Sequence, residues 1–206
     1  MQNFHKEVLT KEQLGMLPLI EKFYSDFGLV GGTAIALYLG HRRSIDFDLF
    51  SRKKFGNLKI RKTVSGFKNI DAVLRDEEGE YTIIVNGVKI KFFNYPFKAD
   101  YRENLTKRIK LPDLLTLAAM KAYALGRRAK WKDYVDLGLI MKKYSGPEKI
   151  IRKAERIYSN EFNEKMFRSQ LAYFKDIDYS EKVNYMPGFK KNDSEVRKEL
   201  LEFSLI

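Results

Sequence analysis

Residues 28–50 read GLVGGTAIALYLGHRRSIDFDLF, and this stretch decides the fold. Leu29-Val30 predicts a short apolar strand, Gly31-Gly32 a tight turn, and Thr33 to Leu39 a helix that Gly40 stops. Beyond it, Ile45, Phe47 and Leu49 alternate with Ser44, Asp46 and Asp48, so Ser44 to Phe50 is predicted to be a half-buried strand. Residues two apart on a strand share a face. Asp46 and Asp48 therefore project side by side while Phe47 turns to the core.

Working outward, Leu14, Leu17, Ile20, Phe23 and Tyr24 recur at helical spacing and predict a helix from Lys11 to Phe27. Downstream, strands are expected at Ala72 to Leu74, Tyr81 to Val85 and Val88 to Phe93, with Asn86-Gly87 as a hairpin turn between the last two. After the loop signal Asn94-Tyr95-Pro96 the pattern becomes helical. Helices are expected at Leu114 to Leu125, Lys130 to Tyr144, Glu148 to Tyr158, Glu161 to Phe174 and Asp193 to Phe203. The chain is thus α+β: a mixed β-sheet with flanking helices over residues 1–105, followed by a helical domain over 106–206.

Composition narrows the function. The 206 residues are 44% hydrophobic and 32% charged, a globular balance with room for two domains. Formal net charge is +12, which favours an anionic partner, and the second half carries more of it: +4 over residues 1–105 against +8 over 106–206. With no cysteine and only His5 and His41, disulfide frameworks, thiol nucleophiles and thiolate zinc sites are excluded. The first residues lack the pattern of a secretory signal, and no apolar run reaches the length of a membrane span, so a soluble cytoplasmic protein is expected.

Two adjacent carboxylates repel unless a cation lies between them, and Mg²⁺ suits one or two carboxylates supplemented by substrate phosphate oxygens. The plainer reading of a bare Asp-x-Asp is a solvated strand face. Upstream, Gly31-Gly32 can bring backbone N–H groups close to a phosphate, and the following helix aims its positive end at the same anion. Together they make a phosphate cradle and a metal clamp, the parts that nucleotidyl transfer needs. A second cluster lies between Lys121 and Lys132, which holds five basic residues and no acid, with Tyr123 and Trp131 interleaved. Such a run can neutralise phosphates while a ring stacks on a base, although Trp131 can equally be a core anchor.

The run from Leu29 to Phe50, with its glycine pair, short helix, His-Arg-x-Ser and Asp-x-Asp, resembles the first motif of the AbiEii-type nucleotidyltransferases, toxins of type IV toxin–antitoxin systems. The resemblance implies a nucleotidyltransferase-like sheet in which Gly31, Gly32 and Thr33 hold nucleotide phosphates, Asp46 and Asp48 bind Mg²⁺, and Arg42 and Ser44 flank the site. It extends to Lys121 and to Lys132-Asp133-Tyr134-Val135-Asp136. Lys121 would meet the triphosphate, Lys132 would add nucleotide contacts, and Asp133 or Asp136, which share a helix face, would complete the site. Taken apart from the motif, Arg42 is a solvated loop charge, Ser44 a turn hydroxyl, Lys121 a snorkelling lysine, and the two acids ion-pair partners of Lys132, Arg127 or Arg128. The implied activity is Mg²⁺-dependent transfer of a nucleoside monophosphate from an NTP to an acceptor, RNA such as a tRNA 3′ end, with an antitoxin protein as partner and no membrane. One departure stands out: Lys91 falls on the later strand where such folds often place a third acid. Asp71 or Asp133 could supply it, two carboxylates could suffice, or the chain could be an inactive nucleotide- or RNA-binding domain.

Overall fold

In the computed structural model, which describes residues 3–206, Thr10 opens the first helix with a reciprocal cap: its hydroxyl accepts from the Gln13 N–H at 3.2 Å and its own N–H donates to the Gln13 side chain at 3.1 Å. This helix, α1, spans Lys11–Ile20 and tightens into a 3₁₀ turn at Glu21–Phe23 rather than running to Phe27. Pro18 inside it removes one ladder bond, and the tighter turn sends Phe23 and Phe27 onto the Phe92 ring, at centroid distances of 4.8 and 5.2 Å.

The chain then forms β1 (Gly28–Val30), α2 (Gly31–Leu39), β2 (Asp46–Ser51), α3 (Asn57–Ser65), β3 (Ala72–Glu77), β4 (Glu80–Val85) and β5 (Val88–Asn94). The five strands make one mixed sheet in the order β1-β2-β5-β4-β3. Only β2 and β5 are parallel neighbours; the other pairs are antiparallel. Alternation sorts the faces. Phe47, Leu49, Ile90, Phe92, Tyr81 and Ile83 are fully buried, while Asp46, Asp48, Lys89 and Lys91 are only partly covered. Asn86 and Gly87, at φ 52° and 71°, make the turn between β4 and β5 that their sequence predicts.

A two-stranded ribbon follows, β6 (Glu103–Asn104) with β7 (Lys110–Leu111), and then five helices: α4 (Leu114–Leu125), α5 (Trp131–Tyr144), α6 (Glu148–Tyr158), α7 (Glu164–Ala172) and α8 (Asp193–Leu205). The compact units are Met1–Asp113 and Leu114–Ile206. Residues 106–113 stay with the first unit because the ribbon is tied locally, Leu105 N–H to the Ile109 carbonyl at 2.9 Å, and the Tyr38 hydroxyl donates to the Pro112 carbonyl at 2.8 Å. In the second unit, Leu117, Ala118, Tyr134, Leu137, Ile140, Ile150, Phe167, Leu171 and Leu200 are buried as the core on which the helices pack. Among the described residues, no helix is long and apolar enough to cross a membrane.

Candidate functional site

β1 passes into α2 without a loop, so the glycine pair forms the first turn of the helix rather than a turn ahead of it, and the helix starts at Gly31 instead of the expected Thr33. Gly31 adopts φ +73°, and a Cβ built on it would lie 2.0 Å from Oδ2 of Asp48. Any side chain here would collide with that carboxylate and strain the backbone, so glycine is what allows Asp48 to lie over the helix start. A Cβ on Gly32 would lie 2.7 Å from Nη2 of Arg42 and 3.2 Å from Oγ of Ser44. Arg42 is buried, 2% exposed, and its Nη1 donates to the Arg43 carbonyl at 3.1 Å; it is a packed cation and not the solvated loop charge of the plainer reading. The Thr33 hydroxyl donates to the Asp46 carbonyl, tying the helix start to β2. Gly31, Gly32, Thr33, Arg42, Ser44, Asp46 and Asp48 are therefore brought into one cluster of the first unit.

Register places this cluster against β5. Val30 on β1 is opposite Asp48, while on the other side Asp46 lies level with Lys89 and Asp48 with Lys91. Lys89 Nζ is 2.7 Å from Asp46 Oδ2, and Lys91 Nζ is 2.8 Å from Glu80 Oε1 and 5.0 Å from the centre of the Phe93 ring. Lys89 is a participant that the linear sequence did not single out. Its signal was the alternation Lys89, Ile90, Lys91, Phe92, which puts both lysines on one face, but its partner depended on the β2–β5 register. Asp71 is not within this group: its carboxylate accepts from the Gly87 N–H at 2.9 Å at the hairpin turn, and β5 and β4 lie between its strand end and β2. Among the described residues, no group of three or more acids and histidines is placed to hold a metal.

In the second unit, Lys121 on α4 and Asp133 and Asp136 on α5 form one buried charge cluster. Lys121 Nζ lies 2.6 Å from Asp133 Oδ1 and 2.9 Å from Asp136 Oδ2, with side-chain exposures of 5%, 5% and 0%. Arg128 Nε reaches the other Asp133 oxygen at 3.2 Å, so two cations face two anions. Lys132 is not in this cluster; with Lys130 it brackets Glu181, at 3.0 Å from Oε2, and hydrogen bonding from Lys130 ahead of Lys132 brings the Glu181 carboxyl down to about 2. Trp131 is 4% exposed and donates from Nε1 to Asp193 at 3.0 Å. Tyr123 is covered by Tyr158 on one face, 3.9 Å between centroids, and by Arg127 on the other, 3.6 Å. Burial, and the hydrogen bond it donates to Glu161, push its hydroxyl up to about 12. Neither ring offers an open face to a base, which removes the stacking read from the Lys121 to Lys132 run.

No family model matches the chain. It is 28% identical over 156 residues to the uncharacterized protein aq_aa25 of Aquifex aeolicus, an alignment covering 74% of this chain and 75% of that one. Among solved structures it is similar to a candidate nucleotidyltransferase from H. pylori, with TM-score 0.62, 16% identity, and 94% of this chain and 92% of that one covered. JHP933 from Helicobacter pylori gives TM-score 0.58 at 17% identity over 96% and 92% of the two chains. MenT4, a nucleotidyltransferase toxin from Mycobacterium tuberculosis H37Rv, gives TM-score 0.61 at 11% identity over 94% and 81%. At these identities the likeness is one of fold, and the fold of this chain is that of nucleotidyltransferases.

Proposed function

We propose that the protein is a nucleotidyltransferase that moves a nucleoside monophosphate from an NTP to an acceptor hydroxyl, the acceptor being RNA such as a tRNA 3′ end, and that it acts as the toxin of an AbiEii-type toxin–antitoxin pair. The observation that carries this reading is the seating of the Asp48 carboxylate on Gly31 at the start of α2, which joins an anion-binding helix end to a carboxylate pair. Two partly exposed carboxylates on one strand face fit the needs of Mg²⁺, which takes one or two protein acids and fills its shell with water and phosphate oxygens. Asp46 and Asp48 would hold the ion, which when bound neutralises and aligns the phosphates.

The chain's own residues supply the rest. The first N–H groups of α2, with Gly31, Gly32 and Thr33, bind phosphate oxygens, while the buried Arg42 adds fixed positive charge beside Gly32 and Ser44 shares that flank. Lys121 is held between Asp133 and Asp136 inside the second unit, where the buried charges compensate one another, and Lys132 is paired with Glu181. In the transfer, the acceptor oxygen bonds to the α-phosphorus, the bond to the α–β bridging oxygen breaks, pyrophosphate leaves with the electron pair, and the hydroxyl proton passes to solvent. The net charge of +12 supports a polyanionic acceptor. Incubation with each α-labelled NTP, Mg²⁺ and total RNA tests the proposal: label in RNA is expected, and absence of label from every macromolecule overturns it.

A second reading has an observation of its own. Lysines stand on β5 level with both carboxylates, which favours a domain of the same fold that binds nucleotide or RNA without turnover. Nucleotide binding without transfer in the same incubation would select it.

A further inference from the structure

Helix α6 divides its residues between two faces. Ile150, Ile151, Ala154 and Tyr158 are buried, and the helix packs against α4, where the Tyr158 ring stacks on Tyr123. Lys149, Arg152, Lys153 and Arg156 recur at spacings of three and four, so they form one stripe on the opposite face; Lys153 is partly covered and the other three are exposed. Like charges at these spacings repel, and a solvated helix face ordinarily relieves them with acids one turn away. Here that relief is withheld. Glu148 stands four residues before Arg152 yet reaches Arg168 of α7, at 3.6 Å, and Glu155, three residues after Arg152, forms no ion pair with it. Among the described residues, Arg152, Lys153 and Arg156 have no acid as partner, and Lys149 lies over the Tyr144 ring, 5.7 Å from its centre. The basic run from 121 to 132 is by contrast closed on Glu161 and Glu181.

We infer that this face of α6 is a docking surface for the phosphate backbone of an RNA stem. The inference rests on the RNA-acceptor reading of the proposed function and goes beyond it by giving that RNA a place on the second unit. The four cations span about 10 Å of helix, a length over which one strand of a duplex presents about three phosphates. Arg152 and Arg156 add planar forks that match phosphate oxygens. Phosphates laid along the stripe relieve the repulsion that the helix's own acids leave in place. No ring stands within the stripe, and Tyr144 beside it lies under Lys149, so unpaired bases find nothing there to stack on and the contact is with backbone. An anionic membrane fits less well, because a helix that lies on lipid needs a free apolar face and the apolar face of α6 is buried.

The test is the binding of a labelled RNA hairpin to the full chain, followed by fluorescence anisotropy over a series of salt concentrations. Wild type is compared with the triple variant Arg152→Gln/Lys153→Gln/Arg156→Gln and with Lys59→Gln/Lys62→Gln/Lys68→Gln, which removes the same charge from exposed positions of the first unit. The α6 triple variant is expected to bind about tenfold more weakly, with a log–log salt slope shallower by about two to three. Its melting temperature should hold or rise, since like-charge repulsion is removed. The first-unit triple variant should bind as wild type does. Unchanged affinity and slope in the α6 variant overturn the inference, as does an equal loss in the first-unit variant, or stripe-dependent binding to phosphatidylserine vesicles with none to the hairpin. Label transfer to RNA by wild type, with an unchanged KM for RNA in the α6 variant, overturns the docking surface and leaves the proposed function standing. Stripe-dependent binding of the hairpin without transfer from any NTP overturns the proposed function and leaves the docking surface standing.

Discussion

Asp46 with Lys89 in the first unit, and Lys121 with Asp133 and Asp136 in the second, are built from the same two residue types at nearly the same distances: 2.7 Å against 2.6 and 2.9 Å. Burial separates them. The first pair is partly exposed, so each charge can exchange its partner for water, a metal ion or a phosphate at small cost. The second is sealed, and every charge in it depends on the others for the hydration it has lost. An ion pair's distance therefore says little about its job. Its exposure tells whether it is a place where ligands are exchanged or a joint that holds helices.

The comparison is broken most severely at Lys121. Lys121→Ala removes the ammonium that two buried carboxylates share, with Arg128 left on Asp133, and a loss of about 3–5 kcal/mol is expected in the unfolding of the second unit. Urea denaturation monitored by Trp131 fluorescence measures it; a loss below about 1 kcal/mol would mean the cluster is not a structural joint. Any accompanying fall in activity must then be read at a temperature where the variant is folded.

Next in size is Gly31→Ala. Its positive φ and the approach of Asp48 both oppose a Cβ, so a cost of about 1–3 kcal/mol is expected. Gly87→Ala sharpens the point, because Gly87 has φ +71° with nothing within 4 Å of its added Cβ. It should cost only the backbone share, about 1 kcal/mol. Equal losses in the two melts would show that Asp48 does not press on the helix start.

A smaller effect is expected from pH. The folded-state pKa of Glu181 is depressed, first by Lys130, so the stability it contributes is complete above its ordinary value of 4.5 and is lost as pH falls toward about 2. Glu181 is 40% exposed by side chain, and screening holds the contribution to about 1 kcal/mol or less. Glu181→Gln should flatten that share of the acid limb in a stability-against-pH series, and an unchanged limb would remove Glu181 from the account.

How much of this was legible in the sequence follows the range of the contacts. The alternation of Phe47 and Leu49 with Asp46 and Asp48 and the glycine pair act within one short stretch, and the pieces they predicted are adjacent in the fold; Ile45, expected to join the buried side, is instead 60% exposed and lies ahead of β2. The helices α4 and α6 begin and end where the caps and turn residues put them. By contrast α3 was missed, because only Ile60 and Val64 of its residues are buried, amid Lys59, Arg61 and Lys62. The two-residue strands β6 and β7 are too short to carry a period. Within the site, the pairing of Lys89 with Asp46 depends on a parallel register between distant segments, which no local pattern encodes. The run from Lys121 to Lys132 looked like an open basic surface for the same reason: Glu161 and Glu181, which pair with Arg127, Lys130 and Lys132, come from far along the chain.

The partly exposed carboxylate pair of the first unit serves chemistry and not stability, and Asp48→Asn tests this most directly. Label transfer from α-labelled NTP to RNA should fall at least 100-fold, since metal clamping and phosphate alignment are each worth several kcal/mol. The melting temperature should move by less than about 3 °C, as Asn keeps the size and the polar atoms of the side chain and a partly exposed charge is worth about 1 kcal/mol or less. Transfer at the wild-type rate by a folded Asp48→Asn protein would contradict the account.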